Sequence, residues 1–137
     1  MSERFWLMKT EPEAFGWDDL LKDGETLWDG VRNHRAAMNL RAMKVGDKAF
    51  FYHSVTGKEI VGVVEISEAG LTDPKDPTGK WAAVKVKPVR RLERPVTLAE
   101  IKADPSFSEM ELVRQSRLSV AEIRPDEWDR ICSIAKT

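Results

Sequence analysis

The sequence predicts an α+β domain built on a small curved β-sheet or β-barrel of five to six strands, with short helices packed around it. Short apolar runs rich in valine, isoleucine and phenylalanine alternate with segments whose apolar residues recur at helical spacing. Glycine and proline separate these segments. At 137 residues the chain can bury one hydrophobic core, which predicts a single domain over residues 1–137.

Short apolar and alternating runs predict the strands. Residues 5–9 form a buried first strand, which Pro12 ends because proline cannot donate to a sheet ladder. The run 59–67 is dominated by β-branched residues. Pro88 interrupts a half-exposed strand over residues 81–92 and predicts a bulge or a sheet edge there. The other predicted strands cover residues 26–28, 48–54 and 118–123.

Apolar spacing and capping residues predict the helices. Between residues 33 and 43, one helical stripe collects Ala36, Ala37, Leu40 and Met43. Further helices are predicted over residues 16–21, 97–103, 105–113 and 125–134. The helix over 97–103 begins with a capping box, and the helix over 125–134 has proline in its first turn. A turn is expected at residues 45–47, a hairpin loop at 54–58 and an exposed loop at 73–80.

Charge is patterned although the net charge is only −1. Residues 30–58 carry six bases and one acid, and residues 81–94 carry five bases and one acid, whereas the segments between and around them are acidic. If these two basic segments meet in space, they form one cationic face suited to phosphate. The near-neutral total excludes strong nonspecific coating of duplex nucleic acid and predicts few, directed phosphate contacts.

Cysteine usage and hydropathy indicate a cytoplasmic protein. The one cysteine, Cys132, rules out an intramolecular disulfide framework and fits a reducing compartment. No apolar stretch approaches the length of a membrane span, and residues 1–5 lack a signal-peptide pattern. We therefore expect no membrane contact, and a monomer.

The run W-D-G-V-R-N-H-R at residues 28–35 is the strongest functional signal from residue chemistry. Trp28 offers a flat π-face and Asn33 an amide that both donates and accepts. Arg32 and Arg35 add positive charge. These groups suit a planar, polar ligand with an anionic tail, such as a nucleotide. The structural alternative is a core tryptophan followed by a solvated arginine face.

Residue patterns for catalysis or metal binding are missing. His53 and Ser54 are adjacent on a predicted strand, so their side chains point to opposite faces and cannot form a base–nucleophile pair. His34, His53 and Cys132 show no metal-ligand spacing. The sequence therefore predicts a binding protein without catalytic residues, metal or cofactor.

Six segments together resemble the EVE domain family across nearly the whole chain. They are W-L-M-K-T-E-P at 6–12, W-D-G-V-R-N at 28–33, R-A-M-K-V-G-D-K-A-F-F-Y-H-S at 41–54, I-V-G-V-V-E-I at 60–66, P-T-G-K-W at 77–81 and R-Q-S-R-L-S-V at 114–120. The family is similar in fold to PUA and YTH domains, which implies a small β-barrel. It also implies a nucleic-acid reader that accommodates a modified, flipped-out base. The resemblance favours DNA over RNA as the ligand and modified cytosine as the base.

The resemblance assigns roles at matching positions. Trp28 corresponds to an aromatic wall of the base pocket, and Trp81 to a second wall. The mouth of the pocket and the edge contacts to the base correspond to Lys9, Thr10, Asn33, His53 and Ser54. The closing segment, which could meet phosphate, contains Arg114, Arg117 and Ser119. With Arg32 and Arg35, these arginines form the expected phosphate-binding set.

Two other functions stay open at this point. The pocket could hold a free modified nucleoside or another planar metabolite, with the basic surface incidental. A nucleic-acid-modifying enzyme is the other alternative, because PUA-like folds occur beside catalytic domains. Binding to a free nucleoside and to an oligonucleotide, compared across salt concentrations, separates the first alternative from a nucleic-acid reader.

Overall fold

The computed structural model describes residues 4–55, 57–115 and 117–136, and this part of the chain contains six strands and five helices. In chain order the elements are β1 (Phe5–Thr10), α1 (Trp17–Asp23), β2 (Thr26–Trp28), α2 (His34–Ala42), β3 (Lys48–His53), β4 (Glu59–Thr72), β5 (Ala82–Thr97), α3 (Leu98–Ala103), a 3-10 turn (Pro105–Phe107), α4 (Glu111–Arg114), β6 (Val120–Ile123) and α5 (Pro125–Ala135). Every predicted strand is present. β4 and β5 are longer than predicted.

The six strands form one sheet in the order β2-β5-β4-β3-β1-β6, in which only β1 and β3 are parallel. The predicted barrel is wrong in one respect, because the two edge strands do not pair and the sheet stays open. Helix α2 packs on the edge strand β6 and on β5, the neighbour of the other edge strand β2. The side-chain amide of Asn39 on α2 donates to the carbonyl of Val120 on β6 at 2.8 Å.

Irregular pairing curls the sheet. The β4–β5 register shifts at four places. Across one shift Val63 pairs with Arg90 whereas Val64 pairs with Pro88, which confirms the predicted bulge at the proline. Such shifts increase the local twist of a strand pair. The curl brings the two edges of the sheet towards one opening at the carboxyl end of β1.

The two faces of β3 carry different aromatic partners. Phe50 stacks on Trp128 of α5, while Phe51 on the opposite face contacts Trp17 of α1 at 5.5 Å between ring centroids. Trp6, Trp17 and Trp128 are all buried, as predicted. Gly62 on β4 lies against the Trp17 ring, and a Cβ at this position would come within 2.4 Å of it. Only glycine therefore allows Trp17 to pack on β4.

Caps define the helix ends that position the site. The Asn33 side chain accepts from the backbone N–H of Ala36 at 3.0 Å and starts α2. Thr97 and Glu100 form the predicted capping box of α3. The single helix predicted over residues 105–113 was wrong. Met110 adopts an extended backbone conformation with its side chain fully buried, and it divides this stretch into the 3-10 turn and α4.

Some predictions fall on residues outside the described part of the chain. These residues are 1–3, which belong to the segment that lacks a signal-peptide pattern, Thr56 of the predicted hairpin loop and Ser116 of the R-Q-S-R motif. Among the described residues, no helix is both long and apolar enough to cross a membrane.

Candidate functional site

Two adjoining clefts open at the carboxyl end of β1. The first, here called the Trp28 cleft, has a volume of about 410 Å³. The second, the basic cleft, has a volume of about 710 Å³. Both are lined by Lys9, Thr10 and Ser119, so the two clefts meet at these residues. The backbone N–H of Lys9 donates to the carbonyl of Ser119 at 2.9 Å and holds this shared wall together.

The Trp28 cleft lies between the two edges of the curled sheet. Its walls are Phe15, Val31, the strand β2 (Thr26–Trp28) and Ser119, which directly precedes β6. Trp28 is half-buried and meets Phe51 at 5.8 Å with the ring planes at 86°. A perpendicular contact of this kind leaves part of the Trp28 ring surface on the cleft.

Thr10 is fixed between the clefts by hydrogen bonds. Its hydroxyl donates to the carbonyl of Phe15 at 2.9 Å, and its carbonyl accepts from the backbone N–H of Ser54 at 2.8 Å. The donor of the hydroxyl is therefore used within the protein. Its oxygen can still accept a hydrogen bond from a ligand.

Asp73 anchors the loop that follows Trp28. Its carboxylate is almost fully buried and accepts from the backbone N–H of Gly30 at 2.7 Å and from Arg32 at 2.8 Å. The backbone of Gly30 has φ +77°, a conformation that favours glycine. This conformation, and not the close approach of another group to the Gly30 backbone, explains why glycine stands at this position. The loop predicted to be exposed over residues 73–80 thus begins with a buried carboxylate.

The charge of Asp73 is stabilised by its donors. Burial alone would raise the pKa of this carboxyl. The hydrogen bonds from Arg32 and from the backbone of Gly30 and Lys75 outweigh that effect and hold the pKa of Asp73 below its ordinary value. The W-D-G-V-R segment is therefore held by an ionised, buried carboxylate at neutral pH.

The basic cleft has a cationic rim over an apolar floor. Its charged lining residues are Lys9, Lys58, Lys102 and Arg117 with one acid, Glu11. Tyr52, Leu98 and Leu112 form its apolar surface. Within the part of the chain that the structure describes, no ion pair or side-chain hydrogen bond engages Lys58, Lys102 or Arg117.

Lys58 and Lys102 were missed by the sequence analysis, although a signal was present. The backbone N–H of Leu98 donates to the carbonyl of Lys58 at 2.9 Å and joins the start of α3 to the β3–β4 loop. Leu98 and Lys102 are four residues apart, so they lie on the same face of α3. The capping box that starts α3 therefore also aims Lys102 at the cleft.

Lys9 lies where the two clefts meet. Its ammonium stands 5.7 Å from the centre of the Tyr52 ring. Burial lowers the pKa of Lys9 from its ordinary value. Because desolvation disfavours the charged form, an anion bound in the cleft would stabilise that form.

Ser54 and His53 point to different places, as strand alternation predicted. Ser54 lines the basic cleft, whereas His53 lines neither cleft. Instead the His53 Nε2 accepts the backbone N–H of Trp17 at 3.2 Å. Burial lowers the pKa of His53, and a nitrogen that accepts this hydrogen bond is unprotonated. His53 is therefore a neutral anchor for α1.

Several predicted ligand contacts serve other partners. Asn33 caps α2. Arg35 forms an ion pair with Glu111, and the other oxygen of that carboxylate accepts the backbone N–H of Glu122 on the edge strand β6. Arg114 pairs with Glu109 at 2.7 Å. None of these three predicted residues, nor Arg32, lines either of the two clefts.

Trp81 lies outside the Trp28 cleft. It lines a separate cleft of about 320 Å³ beside the start of β5. Its ring lies 5.0 Å from that of His34 and 5.5 Å from the Arg32 guanidinium. Of the eleven predicted site residues, the structure gathers only Lys9, Thr10, Trp28, Ser54 and Arg117 at the two adjoining clefts.

The bases of the two basic segments do not gather at the two clefts. Of the eleven bases in residues 30–58 and 81–94, only Lys58 lines either cleft. Most of the others pair with nearby acids, as Lys87 does with Glu65 and Arg91 with Asp18. Exposed strand residues take oppositely charged neighbours across the sheet, so sequence blocks of charge need not form a shared face.

Metal chemistry finds no support in the side-chain arrangement. Over residues 4–55, 57–115 and 117–136, no group of three or more histidine, cysteine, aspartate or glutamate side chains is placed to hold a metal ion. The site offers stacking surface, hydroxyl groups and ammonium or guanidinium groups.

The fold and its clefts define a class of protein: an α+β domain whose curled open sheet places an aromatic cleft beside a basic one. The family model described as the EVE domain matches residues 4–134. Thymocyte nuclear protein 1 of Homo sapiens is 33% identical over 163 residues, covering 94% of this chain and 72% of that protein. The chain belongs to the EVE domain family.

Solved structures agree with this assignment. A protein of Rhodopseudomonas palustris, determined by NMR, is 43% identical with a TM-score of 0.93, over 97% of this chain and 93% of its own. The human THYN1 protein, crystallised in complex with DNA containing 5-methylcytosine, is 32% identical with a TM-score of 0.89, over 98% of this chain and 99% of its own.

A more distant structure supports the fold alone. The YTH domain of Zygosaccharomyces rouxii MRB1, in complex with N6-methyladenosine RNA, is 21% identical with a TM-score of 0.61. The match covers 98% of this chain and 88% of the YTH chain. The predicted relation to YTH folds is thus confirmed at the level of architecture.

Proposed function

We propose that this chain is a nucleic-acid reader that binds a flipped-out modified base, with modified cytosine in DNA preferred. The base would occupy the Trp28 cleft and the adjoining phosphates the basic cleft. One observation carries the proposal: an aromatic cleft and a basic cleft share Lys9, Thr10 and Ser119, so one nucleotide can span both. DNA and 5-methylcytosine are favoured because the THYN1 relative was crystallised with such DNA.

Stacking supplies the energy for holding the base. A base that leaves the stack loses a few kcal/mol. Stacking on one aromatic side chain is worth about 1–3 kcal/mol, and Trp28 presents such a surface. A cleft of about 410 Å³ has the size of a small-molecule pocket. Phe15 and Val31 offer apolar surface to a methyl group on the base.

Electrostatic attraction supplies the second part of the affinity. Lys58, Lys102 and Arg117 reach the same cleft from the β3–β4 loop, α3 and the segment before β6. Each charge that meets a phosphate releases counterions, so the affinity should fall with salt by a log–log slope of about 0.7 to 0.9 per contact. Three such contacts on a protein of net charge −1 predict a shallow dependence.

The test compares oligonucleotides that differ only in one cytosine or 5-methylcytosine. Fluorescence anisotropy across salt concentrations should show tighter binding of the methylated strand by the unchanged protein. The double variant Lys58→Ala/Lys102→Ala should weaken binding to both strands and reduce the salt slope by about one per removed contact. The matched control is Lys85→Ala/Lys87→Ala, which removes two charges paired with Glu68 and Glu65 outside both clefts.

Two outcomes would contradict the proposal. Equal loss of affinity in the control and in the basic-cleft variant would assign binding to general charge. Tight binding of the free methylated nucleoside, unaffected by Lys58→Ala/Lys102→Ala and by salt, would favour a small-molecule binding protein instead.

A further inference from the structure

The cleft beside Trp81 combines an aromatic wall with unopposed positive charge. Its apolar lining comes from Leu40 of α2 and Leu71 of β4, together with the Trp81 ring. Among the residues that the structure describes, Arg41 and Lys80 are its charged lining residues and no acidic side chain lines it. At about 320 Å³ the cleft has room for one planar ring system and an attached anionic group.

Hydrogen bonds within its own loop fix the backbone of Trp81. The Asp76 carboxylate accepts the backbone N–H of Trp81 at 2.7 Å and that of Lys80 at 2.8 Å. The Thr78 hydroxyl and these backbone donors hold the pKa of Asp76 at about 2, so the carboxylate stays ionised. The carbonyl of Trp81 accepts from the backbone N–H of Asp73 at 2.8 Å. A recognition surface fixed before binding loses little conformational entropy when a ligand arrives.

Cations surround the Trp81 ring. The Lys80 ammonium lies 5.1 Å and the Arg32 guanidinium 5.5 Å from its centre. Arg41 donates to the carbonyl of Lys80 at 3.4 Å, which draws the guanidinium towards the rim. The two acids of this loop, Asp73 and Asp76, are already engaged by several donors each. The patch therefore favours an anion next to a π-face.

The loop after Trp28 comes close to the Trp81 ring through Arg32. Trp28 pairs with Val84. Trp81 lies three residues before Val84 in the chain, about 10 Å from it at the spacing of an extended strand. Arg32 links the loop after Trp28 to the Trp81 ring. Its guanidinium binds Asp73, which also accepts the Gly30 backbone N–H, and it stands over the Trp81 ring. A polynucleotide leaving the Trp28 cleft can reach Trp81 within a few nucleotides.

We propose that the Trp81 cleft is a second nucleotide subsite, which binds a base a few nucleotides along the strand from the modified base on the Trp81 ring and its phosphate on Arg41 and Lys80. This inference rests on the proposed reader function and assigns the neighbouring part of the same ligand. Sequence-tolerant stacking with few phosphate contacts is the expected mode, since every base has a π-face.

The experiment separates the two subsites by ligand length. The probes are a trinucleotide and a 12-nucleotide single strand of DNA, each with one central 5-methylcytosine. Trp81→Ala should weaken binding of the longer strand about tenfold and that of the trinucleotide less than twofold. Trp81→Phe should restore most of the affinity, because it keeps an aromatic face. Arg41→Ala/Lys80→Ala should lower the salt slope for the longer strand only.

Controls keep the test independent of folding and of the Trp28 cleft. Val89→Ala truncates an exposed β5 residue that lines none of the three clefts. Thermal melting checks each variant, and the charge variant tests the subsite even if Trp81→Ala fails to fold. Unchanged binding of the longer strand by both Trp81→Ala and Arg41→Ala/Lys80→Ala, or equal losses for both lengths, would overturn the second subsite.

The outcome for Trp28→Ala distinguishes this inference from the proposed function. If Trp28→Ala binds the longer strand as well as the unchanged protein does, while Trp81→Ala does not, the Trp28 assignment fails and the Trp81 subsite stands. If Trp28→Ala abolishes binding of both strands while Trp81→Ala changes neither, only the second subsite fails. If the unchanged protein binds neither strand, both proposals fail.

Discussion

Trp128 and Trp28 both meet a phenylalanine of β3, but the geometry of contact differs. Trp128 is stacked on Phe50 at 3.9 Å with the planes at 16°, and on Phe5 at 4.4 Å with the planes at 20°. Trp28 meets Phe51 with the planes at 86° and lines a cleft. Trp128 has only 7% of its surface exposed.

The contrast teaches how one strand can support both the core and a binding surface. Alternation sends Phe50 to the face covered by α5 and Phe51 to the face at the open end of the sheet. Parallel stacking uses up the ring faces of Trp128, so this residue stabilises the fold. A perpendicular contact fixes the position of Trp28 and keeps ring surface for a ligand.

The largest expected effect on stability belongs to Trp128. Trp128→Ala removes two stacked contacts from a buried site and should lower the free energy of unfolding by about 3–5 kcal/mol. Urea unfolding measures this loss. Trp128→Phe keeps a ring between Phe5 and Phe50 and should lose clearly less. If Trp28→Ala destabilised the protein as much as Trp128→Ala, the division of the two tryptophans into core and cleft would be wrong.

Trp28→Ala should act on binding rather than on folding. Loss of the stacking surface should weaken binding of a 5-methylcytosine oligonucleotide by about 1–3 kcal/mol. Because Trp28 is only half-buried, urea unfolding should show a much smaller loss than for Trp128→Ala. Trp28→Phe retains a π-face and should recover part of the affinity. Unchanged binding by a folded Trp28→Ala variant would remove this residue from the base site.

Much of the fold was predictable from the sequence because local patterns determine it. The apolar stripe of α2, the capping box of α3 and the β-branched run of β4 each gave the right element. Closure of the barrel was not predictable. It depends on whether two short edge strands meet in space, and in this sheet they do not, while α2 bonds to the Val120 carbonyl on the edge strand β6.

The site was predicted in part, for a related reason. Trp28, Ser54 and Thr10 lie at the clefts because their positions follow from strand ends. Arg35 and Arg114 have the right charge, but long-range or local acids engage them. The capping box of α3 is a local signal for the direction of Lys102. Lys58 and Lys102 meet at the basic cleft only through packing of α3 on the β3–β4 loop, and no local pattern encodes that packing.

Asp73 should link stability to pH through the loop that follows Trp28. Asp73→Asn removes the charge that Arg32 and two backbone donors stabilise, and should cost about 1.5–2 kcal/mol at pH 7. The folded-state pKa of Asp73 lies below the ordinary value of 3.8. Its contribution is therefore complete above that ordinary value and is lost as the pH falls through the folded-state pKa.

Urea unfolding from pH 7 down to acid tests this linkage. The unchanged protein should lose stability steeply at acid pH, and Asp73→Asn should show a shallower loss over the same range. Asp23→Asn, at an exposed acid of α1, is the control and should keep the pH profile of the unchanged protein. A parallel profile for Asp73→Asn would show that other carboxylates carry the acid sensitivity.

The smallest expected effect, and the sharpest test of recognition, concerns Ser54. Its side chain lines the cleft beside Thr10, while the adjacent His53 holds α1 through Trp17. Ser54 lies on the basic-cleft side of the junction with the Trp28 cleft, where its backbone N–H donates to the Thr10 carbonyl. We expect its hydroxyl to hydrogen-bond the flipped-out modified nucleotide at this junction, so Ser54→Ala should lower affinity for the modified strand by about 1 kcal/mol. Affinity for the unmodified strand should stay nearly constant, because that base would remain in its stack. Competition binding with matched strands measures the difference. Equal losses for both strands would place Ser54 on the path of the backbone, with no part in selecting the base.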